Sequence, residues 1–125
     1  MDRIEEYRQI IRRVLGEHLE HRPSEDGIDM CVICDDISGN YLFLEIGWQK
    51  QARIYSTVFH LRLNDNKIWV EQDWTEQGVA NELLSAGIPP EDIELGFQPP
   101  EMRPYTELAE MVAARKVLRE REEKQ

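Results

Sequence analysis

Long apolar segments are missing from this 125-residue sequence. It has no run of about 18 or more apolar residues, so no membrane-spanning helix is expected. The first residues, MDRIEEYRQ, lack the apolar core of a secretory signal peptide. We therefore expect a cytoplasmic protein in which both cysteines stay reduced.

Motifs of catalysis are missing as well. The glycines are isolated, so no glycine-rich loop can hold a phosphate, and no serine or cysteine lies in a nucleophile signature. Cys31 and Cys34 form a C-x-x-C sequence, but positions three apart on a strand point to opposite faces. A structural zinc site would need a second pair of ligands, which is missing at the usual spacing. We predict that both cysteines are small core residues.

Histidines and carboxylates offer two weaker candidates for a metal site. His18 and His21 could meet on one face of a helix. Glu45, Glu71 and Asp73 could converge from different strands, but the sequence does not show that they do, and metal chemistry requires such convergence. We therefore expect no metal, no cofactor and no catalytic residue, and hence a protein that is not an enzyme.

Positive charge is scarce in the middle of the chain. The formal net charge is -10, from 15 basic and 25 acidic residues, and both ends are balanced: residues 1–22 and 107–125 each carry five of either sign. The segment 23–106 therefore holds the whole acidic excess. Such a segment repels phosphate backbones and favours a basic protein partner. The simpler alternative is that the charge only maintains solubility.

The stretch Tyr41–Asp73 predicts the centre of the fold. Its three apolar runs have alternating character and are separated by polar turns, which is typical of antiparallel strands. A further strand is predicted at about Ile28–Asp35. Two sets of residues are each predicted to share a face of their strand: Leu42, Leu44, Ile46 and Trp48 in the first run, and Tyr55, Thr57, Phe59, Leu61 and Leu63 in the second.

Three helices are predicted around this meander. Apolar residues recur at three- and four-residue spacing from Ile4 to Leu19, which indicates an amphipathic helix. Thr75 is placed to cap a central helix over about 76–86, and Thr106 to cap a C-terminal helix. The predicted fold is α+β, with an antiparallel sheet of about four strands flanked by an N-terminal, a central and a C-terminal helix.

Aromatic residues are concentrated on both faces of the predicted sheet. Two helices can cover one face, and the other must be covered by the last helix, by a second copy or by a partner. We therefore predict a homodimer. The candidate partner interface consists of six aromatic residues: Tyr41, Phe43, Trp48, Tyr55, Trp69 and Trp74.

Several segments resemble a known family. In chain order they are Gly47-Trp48, His60-Leu61, Lys67-Ile68-Trp69, Thr75-Glu76, Gly87-Ile88-Pro89, Asp92-Ile93, Leu95-Gly96-Phe97, Pro100, Arg103 and Thr106. In this long collinear pattern the chain resembles the fdxN element excision controlling factor family, the XisI-like proteins, over about residues 3 to 109. Such proteins typically end soon afterwards, so we predict one domain over 1–109 and a helical extension over 110–125.

The resemblance implies an accessory role without catalysis. The family is mostly cyanobacterial, is named for the control of a DNA excision that a separate recombinase performs, and is typically encoded beside a companion controlling factor. The expected function is therefore that of a regulator which contacts the companion factor or the recombinase. The alternative is a direct DNA-binding accessory, whose phosphate contacts would be arginines of the terminal helices: Arg8, Arg12, Arg13, Arg115 and Arg119.

Overall fold

Five strands form one sheet in the computed structural model, which describes residues 2–22 and 25–123. The strands follow one another across the sheet in chain order: β1 Ile28–Asp35, β2 Asn40–Gln49, β3 Ala52–Asn64, β4 Lys67–Asp73 and β5 Ile93–Leu95. Neighbours from β1 to β4 are antiparallel, and the short β5 runs parallel to β4. The predicted α+β class and the antiparallel meander are confirmed, and a fifth strand is added at one edge.

Within the described residues, three α-helices accompany the sheet: α1 Arg3–His21, α2 Val79–Ser85 and α3 Glu107–Glu123. Asp2 caps α1 by accepting a hydrogen bond from the Glu5 backbone N–H at 2.8 Å. The hydroxyl of Thr106 accepts the Ala109 N–H at 3.2 Å and caps α3 as predicted. None of the described helices is long and apolar enough to cross a membrane.

The predicted start of the central helix was wrong. Residue Asp73, at the end of β4, accepts hydrogen bonds on its carboxylate from the backbone N–H groups of Thr75 and Val79. These two contacts hold the intervening residues as a loop, so that α2 begins only at Val79. Thr75 therefore donates a hydrogen bond to the Asp73 carboxylate and does not cap α2.

All three helices contribute to a core on one face of the sheet. The largest fully buried side chains include Tyr41, Phe43 and Phe59, and the rings of Phe43 and Phe59 stack at 5.6 Å. The buried cluster comprises Tyr7, Ile11, Val14 and Leu15 of α1, Tyr41, Phe43, Val58, Phe59, Leu61, Ile68, Val70 and Ile93 of the sheet, and Val79, Leu83, Ile88 and Leu108.

A register shift between β2 and β3 decides which side chains face this core. Phe43 pairs with Phe59, whereas the next residue, Leu44, pairs with Thr57, so β3 has one extra residue. Because cross-strand partners share a face, Thr57 and Phe59 project to opposite sides. The prediction of one common face for the β3 residues from Tyr55 to Leu63 was therefore wrong.

Candidate functional site

The sheet face opposite the helices, here called the open face, carries an unusual row of apolar side chains. Its outward positions on β2 are Leu42, Leu44, Ile46 and Trp48, whereas a sheet face in water normally carries polar residues. Leu44 is buried although it lies outside the helix-side core cluster. Trp48 is 54% exposed. This face is therefore an apolar surface over which none of the described helices lies.

An arginine lies between two aromatic rings at the end of the β2–β3 hairpin. Arg53 pairs with Trp48 across the strands, and its Cζ lies 5.3 Å from the Trp48 ring centroid and 5.8 Å from that of Tyr55. Both distances are within the range of cation–π attraction. Tyr55 is 68% exposed beside them, so the aromatic end of the open face is accessible.

Charges on the open face occur in both signs. The Nε of Arg62 lies 3.5 Å from Oε1 of Glu71, and the Nζ of Lys67 lies 3.0 Å from Oε1 of Glu94. Strand register and contacts place four acidic and four basic side chains on this face: Asp29, Asp35, Glu71 and Glu94 against Arg53, Arg62, Lys67 and Arg103. The open face is therefore electrically balanced, although segment 23–106 as a whole is strongly acidic.

An apolar groove of about 400 Å³ forms the second candidate surface, between α2, α3 and the segment that joins β5 to α3. Phe97, Met102, Tyr105 and Met111 line it and are 48%, 50%, 78% and 39% exposed. Leu84 and Leu95 are further lining residues. We call this surface the groove; none of its residues was among the predicted interface residues or phosphate-binding arginines.

Carboxylates lie in and next to the apolar lining of the groove. Glu107 lies in the lining, and the exposed Glu101 belongs to the 3-10 segment Pro100–Tyr105 that supplies Met102 and Tyr105. Asp73 also lines the groove, but its carboxylate is bound to the backbone N–H groups at the start of α2. The groove thus combines exposed apolar side chains with an acidic border.

Two of the six predicted interface residues, Tyr41 and Phe43, are in the core, so their prediction as interface residues was wrong. Both are fully buried, because their positions on β2 face the helices and not the open side. Trp48 and Tyr55 are exposed on the open face, and Trp74 is exposed after the end of β4. The remaining member, Trp69, is half-buried beneath the guanidinium of Arg103.

Four of the five predicted phosphate-binding arginines already contact carboxylates within the chain. Arg12 binds both carboxylate oxygens of Asp36 at 2.9 Å, and Arg8 binds Glu5 at 3.3 Å. On the opposite terminal helix, Arg115 and Arg119 share Glu91 Oε1 at 2.8 and 2.7 Å. Only Arg13 forms no ion pair with another described residue. The structure thus gives four of these arginines intramolecular partners.

The cysteines and histidines do not assemble a metal site in the part of the chain that the structure describes. Cys31 is half-buried on the open face and Cys34 is exposed, so their prediction as core residues was wrong; β1 is an edge strand and has a neighbour on one side only. His18 Nε2 lies 2.7 Å from a carboxylate oxygen of Glu82, whereas His21 Nδ1 lies 2.7 Å from the Glu17 carbonyl oxygen. The two imidazoles therefore have separate partners.

The chain is similar to a known protein family and to crystal structures that include two from Anabaena variabilis. The XisI protein family matches residues 1–110. A XisI-like protein from Anabaena variabilis is 34% identical, with a TM-score of 0.79 over 82% of this chain and 94% of its own. The fdxN element excision controlling factor XisI from Anabaena variabilis is 31% identical, with a TM-score of 0.69 over 82% of this chain and 99% of its own. Among curated protein sequences, none matches the chain.

Proposed function

The chain belongs to the XisI family, and from this premise we propose that it is a non-enzymatic controlling factor of DNA element excision that acts by binding a companion protein. The similarity to the structure of the excision controlling factor supports a role in DNA element excision. The companion controlling factor, beside which XisI-like proteins are typically encoded, is the partner of first choice. The recombinase is the other partner that fits the same role.

The groove is the observation that carries this proposal. Its four exposed apolar side chains include two aromatic rings and two methionines, residue types that are enriched in protein interfaces. The methionines Met102 and Met111 can adapt their shape to an incoming side chain. A segment of a partner that places an apolar anchor in the groove would bury these side chains.

The charge around the groove indicates which kind of partner segment it can bind. Glu107 lies in its lining, and the exposed Glu101 lies in the segment Pro100–Tyr105, which supplies two lining residues. Both are within or beside the segment that carries the whole net charge of -10. Opposite charge steers association and favours a basic partner segment over an acidic one. The proposed occupant is therefore a basic segment of the companion protein with an aromatic or aliphatic anchor.

Direct phosphate binding is supported less well. Four of the five candidate arginines already neutralise carboxylates, so a DNA phosphate would have to displace Asp36, Glu5 or Glu91. Each displacement would leave a carboxylate beside the phosphate backbone, which is unfavourable. Protein binding through the groove requires no such exchange.

The test is co-expression of this chain with its companion protein, followed by measurement of the dissociation constant. Tyr105→Lys places a cation in the groove and is expected to raise the Kd by about 10- to 30-fold, because an exposed aromatic anchor and the charge match are both lost. Tyr55→Lys is the matched control, since it makes the same change at a similarly exposed tyrosine of the open face. It is expected to leave the Kd within about twofold.

Salt gives a second test of the same proposal. The complex is expected to weaken as salt rises from about 50 to about 500 mM, because the attraction between an acidic border and a basic segment is screened. Separate migration of the two co-expressed proteins at low salt would overturn the proposed function. A larger loss with Tyr55→Lys than with Tyr105→Lys would overturn the choice of the groove.

A further inference from the structure

We propose that the open face of the sheet binds a second copy of this chain, so that the protein is a homodimer with two sheets packed face to face. This surface is distinct from the groove, because its apolar residues belong to β1, β2 and β3. The proposed partner is identical in sequence, and both copies use the same residues of the open face for the contact. Such isologous contact is the commonest arrangement in soluble oligomers.

The pattern of β2 is the first argument. Four successive outward positions, from Leu42 to Trp48, are apolar, and none of the described helices packs over them. Their cross-strand neighbours extend the apolar area on both sides, with Cys31 beside Leu44 and Tyr55 beside Ile46. Ile33 is 45% exposed on the same face of β1. A contiguous apolar area of this kind is typical of an interaction surface.

The charge balance of the open face favours a second copy of the chain as its partner. A chain with a net charge of -10 repels its own copies over most of its surface. The open face is the exception, because its four acidic and four basic side chains cancel. Two copies can therefore meet here without bringing like charges together in excess, and the two signs on one copy can pair with the opposite signs on the other. A strongly basic partner would find no net negative charge on this face.

The dimensions of the face are sufficient for a dimer. Strands about 4.8 Å apart with a rise of about 3.4 Å per residue give the open side of β1 to β4 an area of about 500 Å² per copy. Two copies would bury about 1,000 Å², which reaches the lower range of specific interfaces. Stacked sheets of this kind pack about 10 Å apart, and protruding rings such as Trp48 would interdigitate with the facing copy.

Light scattering on the wild-type chain is the primary test. The expected mass is twice the chain mass of 14.8 kDa at about 100 μM protein. Tyr55→Lys is expected to raise the dimer dissociation constant by at least about tenfold, because the ammonium must be desolvated in an apolar contact. Tyr105→Lys in the groove is the matched control and is expected to leave the mass doubled.

Further variants separate a true interface from unfolding or simple repulsion. Tyr55→Lys makes the chain as a whole less negative, so a loss of dimer with this variant cannot come from a larger net charge. Ile46→Thr keeps a β-branched side chain on the strand and is expected to weaken the dimer, with the circular dichroism spectrum unchanged. Rising salt is expected to strengthen the dimer by screening the net charge, opposite to the expected effect on the companion complex.

Two results would overturn the proposal. One is a wild-type monomer at about 100 μM. The other is a dimer that survives both Tyr55→Lys and Ile46→Thr but dissociates with Tyr105→Lys. Neither result affects the proposed function, which is measured by binding of the companion protein to the groove.

Discussion

The guanidinium of Arg103 lies over the ring of Trp69, with its Cζ 5.3 Å from the ring centroid. The same group donates hydrogen bonds from Nε to the carbonyl oxygens of Leu95 and Gln98, at 3.3 and 3.2 Å. Trp69 belongs to β4, whereas Arg103 belongs to the segment that forms one side of the groove. One side chain therefore joins the groove to the edge of the sheet.

Replacement of Arg103 tests whether this connection shapes the groove. Arg103→Ala removes both hydrogen bonds and the cation–π contact, and is expected to lower the free energy of unfolding by about 1–3 kcal/mol. Companion binding is expected to weaken as well, because Met102 and Tyr105 lose their fixed position. Both effects can be measured, by urea unfolding and by the dissociation constant.

The control for this prediction is Arg103→Lys, which keeps the charge but loses the planar guanidinium. Its loss of stability should lie between those of the wild type and Arg103→Ala. If Arg103→Ala unfolds at the wild-type urea concentration, the arginine contributes nothing to the segment and the connection is only geometric.

The sheet was predictable because its residues alternate in polarity, but its faces were only partly so. β1 was predicted at its observed bounds, and the β2 residues from Leu42 to Trp48 do share a face. The faces of β3 were assigned wrongly since the extra residue at the bulge reverses the alternation between Thr57 and Phe59. No residue of the β3 sequence marks that bulge, which depends on its pairing with β2.

The groove could not be predicted from periodicity. Phe97, Met102 and Tyr105 lie in a proline-containing segment with neither helical nor strand spacing, and the sequence alone does not show which element they contact. The same limit explains Tyr41 and Phe43, whose aromatic character fits an interface and a core equally well. Only the packing of α1 on the sheet decides that they are buried.

The hydroxyl of Tyr41 connects the core to the β1–β2 turn. It donates to Asp36 Oδ1 at 2.7 Å, and the same carboxylate binds Arg12. Burial and this hydrogen bond raise the pKa of Tyr41 to about 12, above its ordinary value of 10.0. Tyr41→Phe removes the hydrogen bond and is expected to cost about 0.5–1.5 kcal/mol of stability at pH 8.

The pH dependence of that difference follows from the raised pKa. A phenol whose pKa is higher in the folded than in the unfolded chain stabilises the fold below pH 10, and this stabilisation is lost as the pH rises towards 12. At pH 11 the wild type should therefore lose about 1 kcal/mol relative to Tyr41→Phe. Tyr7 is present in both proteins, so its contribution cancels in the difference in stability between them. A difference that stays constant from pH 8 to about 11 would contradict the raised pKa.

Glu91 holds the middle of α3 against the turn before β5. Its Oε1 accepts hydrogen bonds from Arg115 and Arg119. Burial raises the pKa of Glu91, but hydrogen bonds from its backbone and from Arg115, with the charges of both arginines, bring it below its usual range. Glu91→Ala is expected to speed amide hydrogen exchange in α3 beyond residue 112 by about 2- to 5-fold, as expected for exposed ion pairs.

Glu101→Ala is the control for this change, since Glu101 is exposed and forms no ion pair with another described residue. It should leave exchange in α3 unchanged. Equal protection of α3 in wild type and Glu91→Ala would mean that α3 is held against the domain by its apolar contacts alone.

Gly47 and Gly16 form a matched pair for the tolerance of a single methyl group. A Cβ at Gly47 would lie 1.9 Å from the carbonyl oxygen of Gly27 and 2.8 Å from the Cα of Ile28, so β1 and β2 would have to separate. Gly47→Ala is expected to cost about 3 kcal/mol or more, at the upper end of overpacking effects. The same substitution at Gly16 meets nothing within 4 Å on the exposed side of α1 and should stabilise by about 0.5–1 kcal/mol. Urea unfolding of both variants measures the two opposite shifts. A Gly47→Ala protein as stable as the wild type would mean that the close approach of β1 to β2 at Gly27 relaxes without cost.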